Sequence, residues 1–485
     1  MGIITGNHWL MERRTKVIAT LGPASSTAEM ITQLIQAGTN LFRLNMSHGY
    51  HAEHQLNIEN IYKIAQALDR PVAILADLCG PKIRVGRFAE GAIVLTAGES
   101  VTITTRDILG EPGMICSQYK ALAGDVAIGH TILLADGLME LEVEAIEETE
   151  ISCMVLQGGL LSDHKGMNLP DTDISTPALT DKDKQDATFA LHCGVDYLAL
   201  SFVRDASDVQ QLKDLIKAAG STAGIVAKIE RAEALKHVSE IIQVADAMMV
   251  ARGDLGVELP PEQVPIIQQE LILAARMAHK PVIIATQMME SMIENIRPTR
   301  AEVSDVSYAV ASGADAVMLS AETATGLHPV AVVEMMDRVA RETESSMWHN
   351  GGFSSFSMQK TSKQELSVSG ALAISTAQIS RDLQIKSIFV ISESGASAAA
   401  VSSARPTSPI VAITSFEKTY RKMTLFWGVR SVFERTDKIV NTAALAKQWA
   451  RTLDVAKDGE RILLMRWFHQ DPEKSTPSIT VLNIV

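Results

Sequence analysis

Eight short apolar runs, each ending in polar or charged residues, constrain this 485-residue chain more than any other feature. They are Lys16–Leu21, Asn40–Leu44, Val72–Ala76, Tyr197–Leu200, Ile225–Ala227, Ala247–Ala251, Val282–Ala285 and Ala316–Leu319. Asn45, Ser47 and His48 follow the second run, Asp77 the third, and Ser201 the fourth. Lys228 and Glu230 follow the fifth, Arg252, Gly253 and Asp254 the sixth, Thr286 and Gln287 the seventh, and Ser320 and Glu322 the eighth. Continuous apolar strands with chemistry gathered at their C-terminal ends predict an α/β fold, a TIM (β/α)8 barrel with its catalytic face built from those ends.

Between the runs lie helical patterns, with apolar residues spaced by three and four, over 28–37, 53–68, 182–193, 206–219, 232–244, 261–279, 299–312 and 330–342. Strand–helix alternation implies parallel pairing through right-handed crossovers. The alternation breaks once, between about residues 82 and 176, where short alternating strands separated by Ala135-Asp136-Gly137 and Gly158-Gly159 predict a small inserted β-barrel. Placed after barrel strand three, it sits where a lid belongs. Residues 11–81 and 177–345 then make about 240 residues, close to the ~250 usual for this barrel. Residues 346–366 read as a Ser-, Gly- and Lys-rich linker, and 367–485 as a C-terminal open α/β-sheet domain.

Net charge is −13, with no basic stripe, which argues against a nucleic-acid partner. Four cysteines without CxxC spacing fit neither a zinc site nor a disulfide framework, so a reducing, cytoplasmic setting is expected. No apolar run approaches the ~20 residues of a membrane helix, and the N-terminus lacks a secretory h-region. Met11 is a second candidate start, with residues 1–10 as an extension.

The strongest motif joins Ala251-Arg252-Gly253-Asp254-Leu255-Gly256-Val257-Glu258 with Lys228-Ile229-Glu230. Glu230 and Asp254 end adjacent strands and can converge on one magnesium ion, which takes its remaining oxygens from water and substrate. Lys228 lies two residues before Glu230, on the same side of an extended chain. Metal and ammonium side by side supply the fixed positive charge that phosphoryl transfer or enolate formation needs. A turn with a surface salt bridge would carry the same letters. In Phe42–Gly49, Arg43 is suited to gripping phosphate, or to pairing with a barrel carboxylate, and Asn45 and Ser47 offer neutral oxygens; for His48 a structural role is as well supported as a functional one.

These segments, with Thr20–Ser25, Gly80–Gly86, Val226–Leu235, Met249–Glu258, Ala285–Met292, Pro298–Val306 and Val317–Thr323, resemble pyruvate kinase along essentially the whole chain. The resemblance implies phosphoryl transfer from phosphoenolpyruvate to ADP, with magnesium (or manganese) held by Glu230 and Asp254. It implies that Lys228 stabilises the moving phosphoryl group and the enolate, and that Arg43 binds the substrate phosphate. Gly253, Asp254 and Thr286 would hold the substrate carboxylate, with Thr286 placed to relay a proton. Arg84, Lys182, Asn45 and His48 would contact the nucleotide. A homotetramer with an allosteric C-terminal domain is implied as well.

One departure is informative. Many members of that family read Asp-Thr-Lys-Gly-Pro-Glu at the third strand end and bind potassium there, through positions matching Asn45, Ser47, Asp77 and the Leu78 carbonyl. This chain reads Asp77-Leu78-Cys79-Gly80-Pro81-Lys82, which is similar to a potassium-independent subgroup. A tethered ammonium at Lys82 would supply the charge of the free ion and repel an added one; a lysine facing solvent on the lid is the alternative. In the third domain, Ser392, Ser394, Gly395 and Ser397 follow a strand and open a helix, a candidate nest for a phosphorylated effector. The tail, with Met465-Arg466-Trp467-Phe468-His469, departs from the usual ending of the family. Two other functions fit parts of the pattern: a barrel lyase using magnesium-enolate chemistry, and a catalytically silent metabolite-binding relative.

Overall fold

In the computed structural model, which describes residues 13–349, 367–435, 439, 441–466 and 477–485, the eight apolar runs close into one parallel barrel. Its strands are β1 (Lys16–Thr20), β2 (Leu41–Asn45), β3 (Ala73–Asp77), β4 (Tyr197–Leu200), β5 (Gly224–Ile229), β6 (Ala247–Ala251), β7 (Val282–Ala285) and β8 (Ala316–Leu319). Every residue of these strands is buried except three: Arg43 and Asn45 on β2 and Lys228 on β5 are half-buried. Exposure within the strands thus rises only toward the side where the catalytic face was expected.

Helix ends follow local chemistry. Thr180 and Thr299 each accept a hydrogen bond from the N3 amide, while the Asp183 and Glu302 carboxylates accept one from the cap amide, closing capping boxes at the starts of Asp181–His192 and Arg300–Ala311. At the opposite face of the barrel a polar device recurs before every even-numbered strand. Asn40, Asp196, Asp246 and Asp315 each precede such a strand and accept the amide of Val17, Ile74, Ile225 or Val282 on the strand before it, at 2.9–3.0 Å.

The inserted domain wraps a two-stranded and a six-stranded sheet around one apolar core. Arg84 bridges Gly166 at one edge of the larger sheet and Val85 bridges Ser117 at the other, so this stretch closes the small barrel. The C-terminal domain is a five-stranded sheet, parallel except for an antiparallel edge strand, Ser478–Asn483, that the sequence pattern did not reveal. It docks beneath the barrel: Arg405 meets Asp315 at 3.0 Å and Arg421 meets Asp196 at 2.9 Å.

Several boundaries differ from the sequence expectation. Strand β5 runs to Ile229, because Lys228 fits the alternation of a strand whose inner end is polar. The pattern over 232–244 forms two helices, Ala232–Lys236 and Val238–Val244, parted at His237 (φ −116°, ψ 14°). The pattern over 261–279 opens with a 3-10 turn, Pro261–Gln263, before the helix Val264–Met277. The last barrel helix is Pro329–His349, so residues 346–349 are helix rather than linker. The remaining linker, the N-terminal extension including Met11, and Trp467, Phe468 and His469 of the tail lie outside the described residues.

Candidate active site

The strand ends converge as their sequence order implied. Lys228 Nζ lies 2.8 Å from Glu230 Oε1 and 3.4 Å from Asp77 Oδ1, and donates to Ser201 Oγ at 2.7 Å. Burial pulls this ammonium down, but Asp77 and Glu230 outweigh it and hold the pKa above that of an ordinary lysine. Lys228 is therefore a permanent cation. Arg43 flanks it from β2, with Nε donating to Asp77 Oδ2 at 2.7 Å and Nη1 to Thr20 Oγ1 at 3.2 Å. The alternative reading of Arg43, a pair with a barrel carboxylate, is thus present in the structure, and the pair orients its guanidinium. Burial pushes the Asp77 carboxyl up, but Lys228 and Arg43 more than offset this and hold it below the ordinary carboxylate value.

Glu230 is buried, and its Oε2 accepts the Phe202 amide at 2.8 Å. Burial pushes its carboxyl up; Lys228 opposes this, the nearby charge of Asp254 reinforces it, and the net shift is upward. Like charge at close range is what a divalent cation relieves. Glu230 and Asp254 thus fit magnesium: an all-oxygen pair that leaves coordination positions to substrate and water. Among the described residues no third His, Cys, Asp or Glu joins them in a metal-binding group.

Asp254 lies in the short helix Arg252–Glu258, which starts directly at the end of β6. The Gly253 amide donates to Thr286 Oγ1 at 2.7 Å, and that hydroxyl donates to Ala285 O at 2.6 Å. Thr286 and Gln287 are held at φ 67° and 53°. For a β-branched residue this left-handed conformation costs on the order of 1–3 kcal/mol and clusters at functional sites.

The nucleotide candidates group in part. Lys182 Nζ donates to Met46 O at 2.8 Å, beside Asn45, and pairs with Asp186 at 2.5 Å. His48 is exposed, and its carbonyl takes a hydrogen bond from His54. Arg84 sits on the lid, where its guanidinium donates to His164 O. Of the four positions matched to a potassium site, three have their oxygens engaged internally: Asn45 Oδ1 accepts the Ser47 amide at 3.1 Å, the Leu78 carbonyl accepts Ser201 Oγ at 2.7 Å, and Asp77 is paired as above. Lys82 stands in a cleft between lid and barrel with its Nζ 4.0 Å from Asp254 Oδ1. Its head therefore faces Asp254, a candidate metal-binding carboxylate, on a side chain that is itself exposed.

Contacts absent from the motif reading join lid to barrel. Arg231 Nη2 donates to Thr172 O, Arg204 Nη1 to Ile174 O, and Asp183 accepts the Gly80 amide at the lid junction. Arg231 directly follows Glu230, the candidate metal ligand, which is the only signal that marked it. Ser201, the partner of Lys228, was visible only as a strand end. In the third domain Ser392 Oγ accepts the Gly395 amide at 3.1 Å and Ser394 Oγ the Ala396 amide at 3.4 Å, with Gly395 at φ 92°. Ser392 and Ser397 are buried and Ser394 is exposed, while Thr419 ties this loop to the neighbouring helix by donating to Glu393 O.

A family model for the pyruvate kinase barrel domain matches residues 12–333, and one for the pyruvate kinase alpha/beta domain matches residues 370–482. The pyruvate kinase of Geobacillus stearothermophilus is 44% identical over 422 residues, spanning 86% of this chain and 71% of that protein. That of Staphylococcus aureus strain USA300 is 42% identical over 437 residues, spanning 89% and 74%. A crystal structure of a pyruvate kinase from Cryptosporidium parvum matches the whole of both chains with a TM-score of 0.91 and 33% identity.

Proposed function

This chain belongs to the pyruvate kinase family and transfers the phosphoryl group of phosphoenolpyruvate to ADP, the last step of glycolysis; we propose that Arg43, Lys228, Glu230, Asp254 and Thr286 carry that reaction. The observation that carries the assignment is the half-buried Lys228 ammonium between Asp77 and Glu230, on the strand next to the one that leads into Asp254. The phosphoryl group leaves the enol oxygen for the terminal phosphate of ADP, and the enolate left behind takes a proton at its methylene carbon. Lys228, cationic throughout, balances the charge that passes between these oxygens. Arg43, fixed by Asp77 and Thr20, holds the substrate phosphate. Gly253 and the Asp254 amide line the place of the substrate carboxylate, the Gly253 amide staying on Thr286 Oγ1, and the Thr286 hydroxyl relays a proton to the methylene carbon. A divalent ion on Glu230 and Asp254 would add positive charge against the phosphate and enolate oxygens.

Lys182, Arg84, Asn45 and His48 form the nucleotide side, with the inserted domain closing over it. The reaction proceeds without potassium, because Lys82 supplies a tethered positive charge beside Asp254. The C-terminal loop of Ser392, Ser394, Gly395 and Ser397 binds a phosphorylated effector, a sugar phosphate or a nucleoside monophosphate. The working enzyme is a cytoplasmic homotetramer of the 52.5 kDa chain. Among the described residues no helix is long and apolar enough to cross a membrane.

Pyruvate release from phosphoenolpyruvate and ADP with magnesium, in buffer free of potassium and sodium, tests the core of this reading. Turnover supports it, and silence that potassium reverses rejects the role of Lys82 alone. Silence under all conditions, including added sugar phosphates and AMP, rejects the site assignment. An unchanged phosphoenolpyruvate saturation curve with those effectors rejects the C-terminal loop as their site.

A further inference from the structure

The Arg252 side chain takes no part in the roles above, yet it makes a dense set of buried contacts at the floor of the site. Its Nη2 donates to the carbonyls of Thr286 at 2.8 Å and Gln287 at 3.0 Å, and its Nη1 pairs with Asp305 at 2.6 Å. Asp305 belongs to the helix Arg300–Ala311, inside the Pro298–Val306 motif, which no proposed role uses. The residues whose carbonyls Arg252 holds are the two with left-handed backbones at the end of β7. We infer that Arg252, anchored by Asp305, is a positioning residue that keeps the Thr286–Gln287 backbone in this conformation, and so keeps the Thr286 hydroxyl aimed at the carbon to be protonated.

The connectivity forms a closed ring. The side chain of Arg252 fixes the Thr286 carbonyl, and the amide of the next residue, Gly253, fixes the Thr286 hydroxyl. One residue step along the chain therefore controls both ends of Thr286. Two successive carbonyls on one planar guanidinium suit the fork of arginine and not the single point of a lysine ammonium. Glu322 secures the far end of the same loop, with Oε1 accepting the Met289 amide at 3.2 Å. With the guanidinium gone, Thr286 and Gln287 are free to relax to negative φ, which carries the Thr286 hydroxyl away from Gly253. Phosphoryl transfer, which runs through Lys228 and Arg43, would keep its geometry.

This inference rests on Thr286 as the proton donor, so its test reads proton transfer separately from the overall rate. A group that protonates enolpyruvate must, in reverse, remove a proton from the methyl group of pyruvate. That is measured as deuterium uptake from heavy water into pyruvate by proton NMR, beside kcat and the KM for ADP. For Arg252→Gln, kcat and exchange should fall together by about 10- to 100-fold, the scale of a small misplacement of a reacting group. The KM for ADP should stay within about twofold, as expected when only transition-state contacts are lost. Arg252→Lys should recover neither rate. Asp305→Asn, which keeps the guanidinium and weakens its anchor, should lower both by about three- to tenfold.

A folded Arg252→Gln enzyme with both rates near those of the parent would overturn the inference. So would a fall in kcat with exchange unchanged, because Arg252 would then act elsewhere. If Arg252→Gln does not fold, Asp305→Asn decides on the same two readouts. A parent enzyme that turns over but exchanges no methyl protons would remove Thr286 as donor and the inference with it. A parent that exchanges, with variants that match it, would remove the clamp alone.

Discussion

Reversing the charge at Lys82 is the sharpest test of how this site balances its anions. Lys82 Nζ lies 4.0 Å from Asp254 Oδ1, with the two side chains 36% and 29% exposed. At that distance a unit pair is worth about 1 kcal/mol in bulk water and about 4 kcal/mol at the effective dielectric of a protein surface. The exposure of both partners places the value at about 1–2 kcal/mol, near the solvent-screened end. Lys82→Glu removes that attraction and adds a repulsion of similar size in a cleft already lined by Asp254 and Glu258. A swing of about 2–4 kcal/mol corresponds to about a 30- to 900-fold fall in kcat/KM for phosphoenolpyruvate if the charge acts on the transition state. Lys82→Met, which removes the cation without adding an anion, should lose about tenfold. Both are read as initial rates of pyruvate formation in tetramethylammonium buffer, with potassium then titrated in. Potassium should restore most of the lost rate in Lys82→Glu and leave the parent unmoved or slightly inhibited. A Lys82→Glu rate near that of the parent without potassium, or a loss that potassium does not touch, would refute the argument that Lys82 stands in for a monovalent ion.

Other perturbations probe the scaffold. Arg405 is fully buried between Asp315 and the Trp427 ring, so Arg405→Ala leaves the Asp315 carboxylate without its ionic partner. It should cost about 3–5 kcal/mol, read as a clear drop in thermal midpoint, and an unmoved midpoint would contradict it. Gly80 sits at φ 66° where an added Cβ would lie 2.8 Å from the Phe202 ring, so Gly80→Ala should raise the KM for both substrates by displacing the lid junction. Wild-type kinetics in that variant would show that the junction yields without cost. Asp337, paired with Arg13 and Arg341, is pushed up by burial but drawn below its ordinary value of 3.8 by the two arginines. Because the folded pKa is depressed, its contribution is full above the ordinary value and vanishes as acid titrates the folded protein. Asp337→Asn should lower the thermal midpoint at pH 7 by about 1–2 °C, for a loss near 1 kcal/mol, with the gap shrinking below pH 4; a gap that persists in acid would refute the pairing argument.

The barrel was legible because its signal is local. Tyr197–Leu200, Ala247–Ala251, Val282–Ala285 and Ala316–Leu319 are unbroken apolar runs, and a strand dry on both faces has no other sequence to write. The helix starts at Asp181 and Arg300 were legible to within one residue from the apolar spacing, and a capping box within four residues fixes each of them. What the runs hid is where polarity belongs inside a strand. Lys228 was placed after β5 because a lysine ends an apolar run, whereas the barrel mouth buries its stem and pairs its head with Asp77 and Glu230. The site itself divides along the same line. Its identities lay in motifs, so Glu230, Asp254, Lys228 and Thr286 could be named from letters and order. Its restraints connect residues far apart in the chain: Arg252 to Asp305, Arg43 to Asp77, Ser201 to Lys228, Arg405 to Asp315. No periodicity encodes such a pair, because each half is simply a polar residue at a strand end until the barrel closes. The groups proposed to do chemistry can thus be named in one dimension, while the groups that aim them become readable only in three. Arg252 shows the consequence, for it stood inside the most conspicuous motif of the chain and still gave no sign that its side chain turns back to hold the loop of β7.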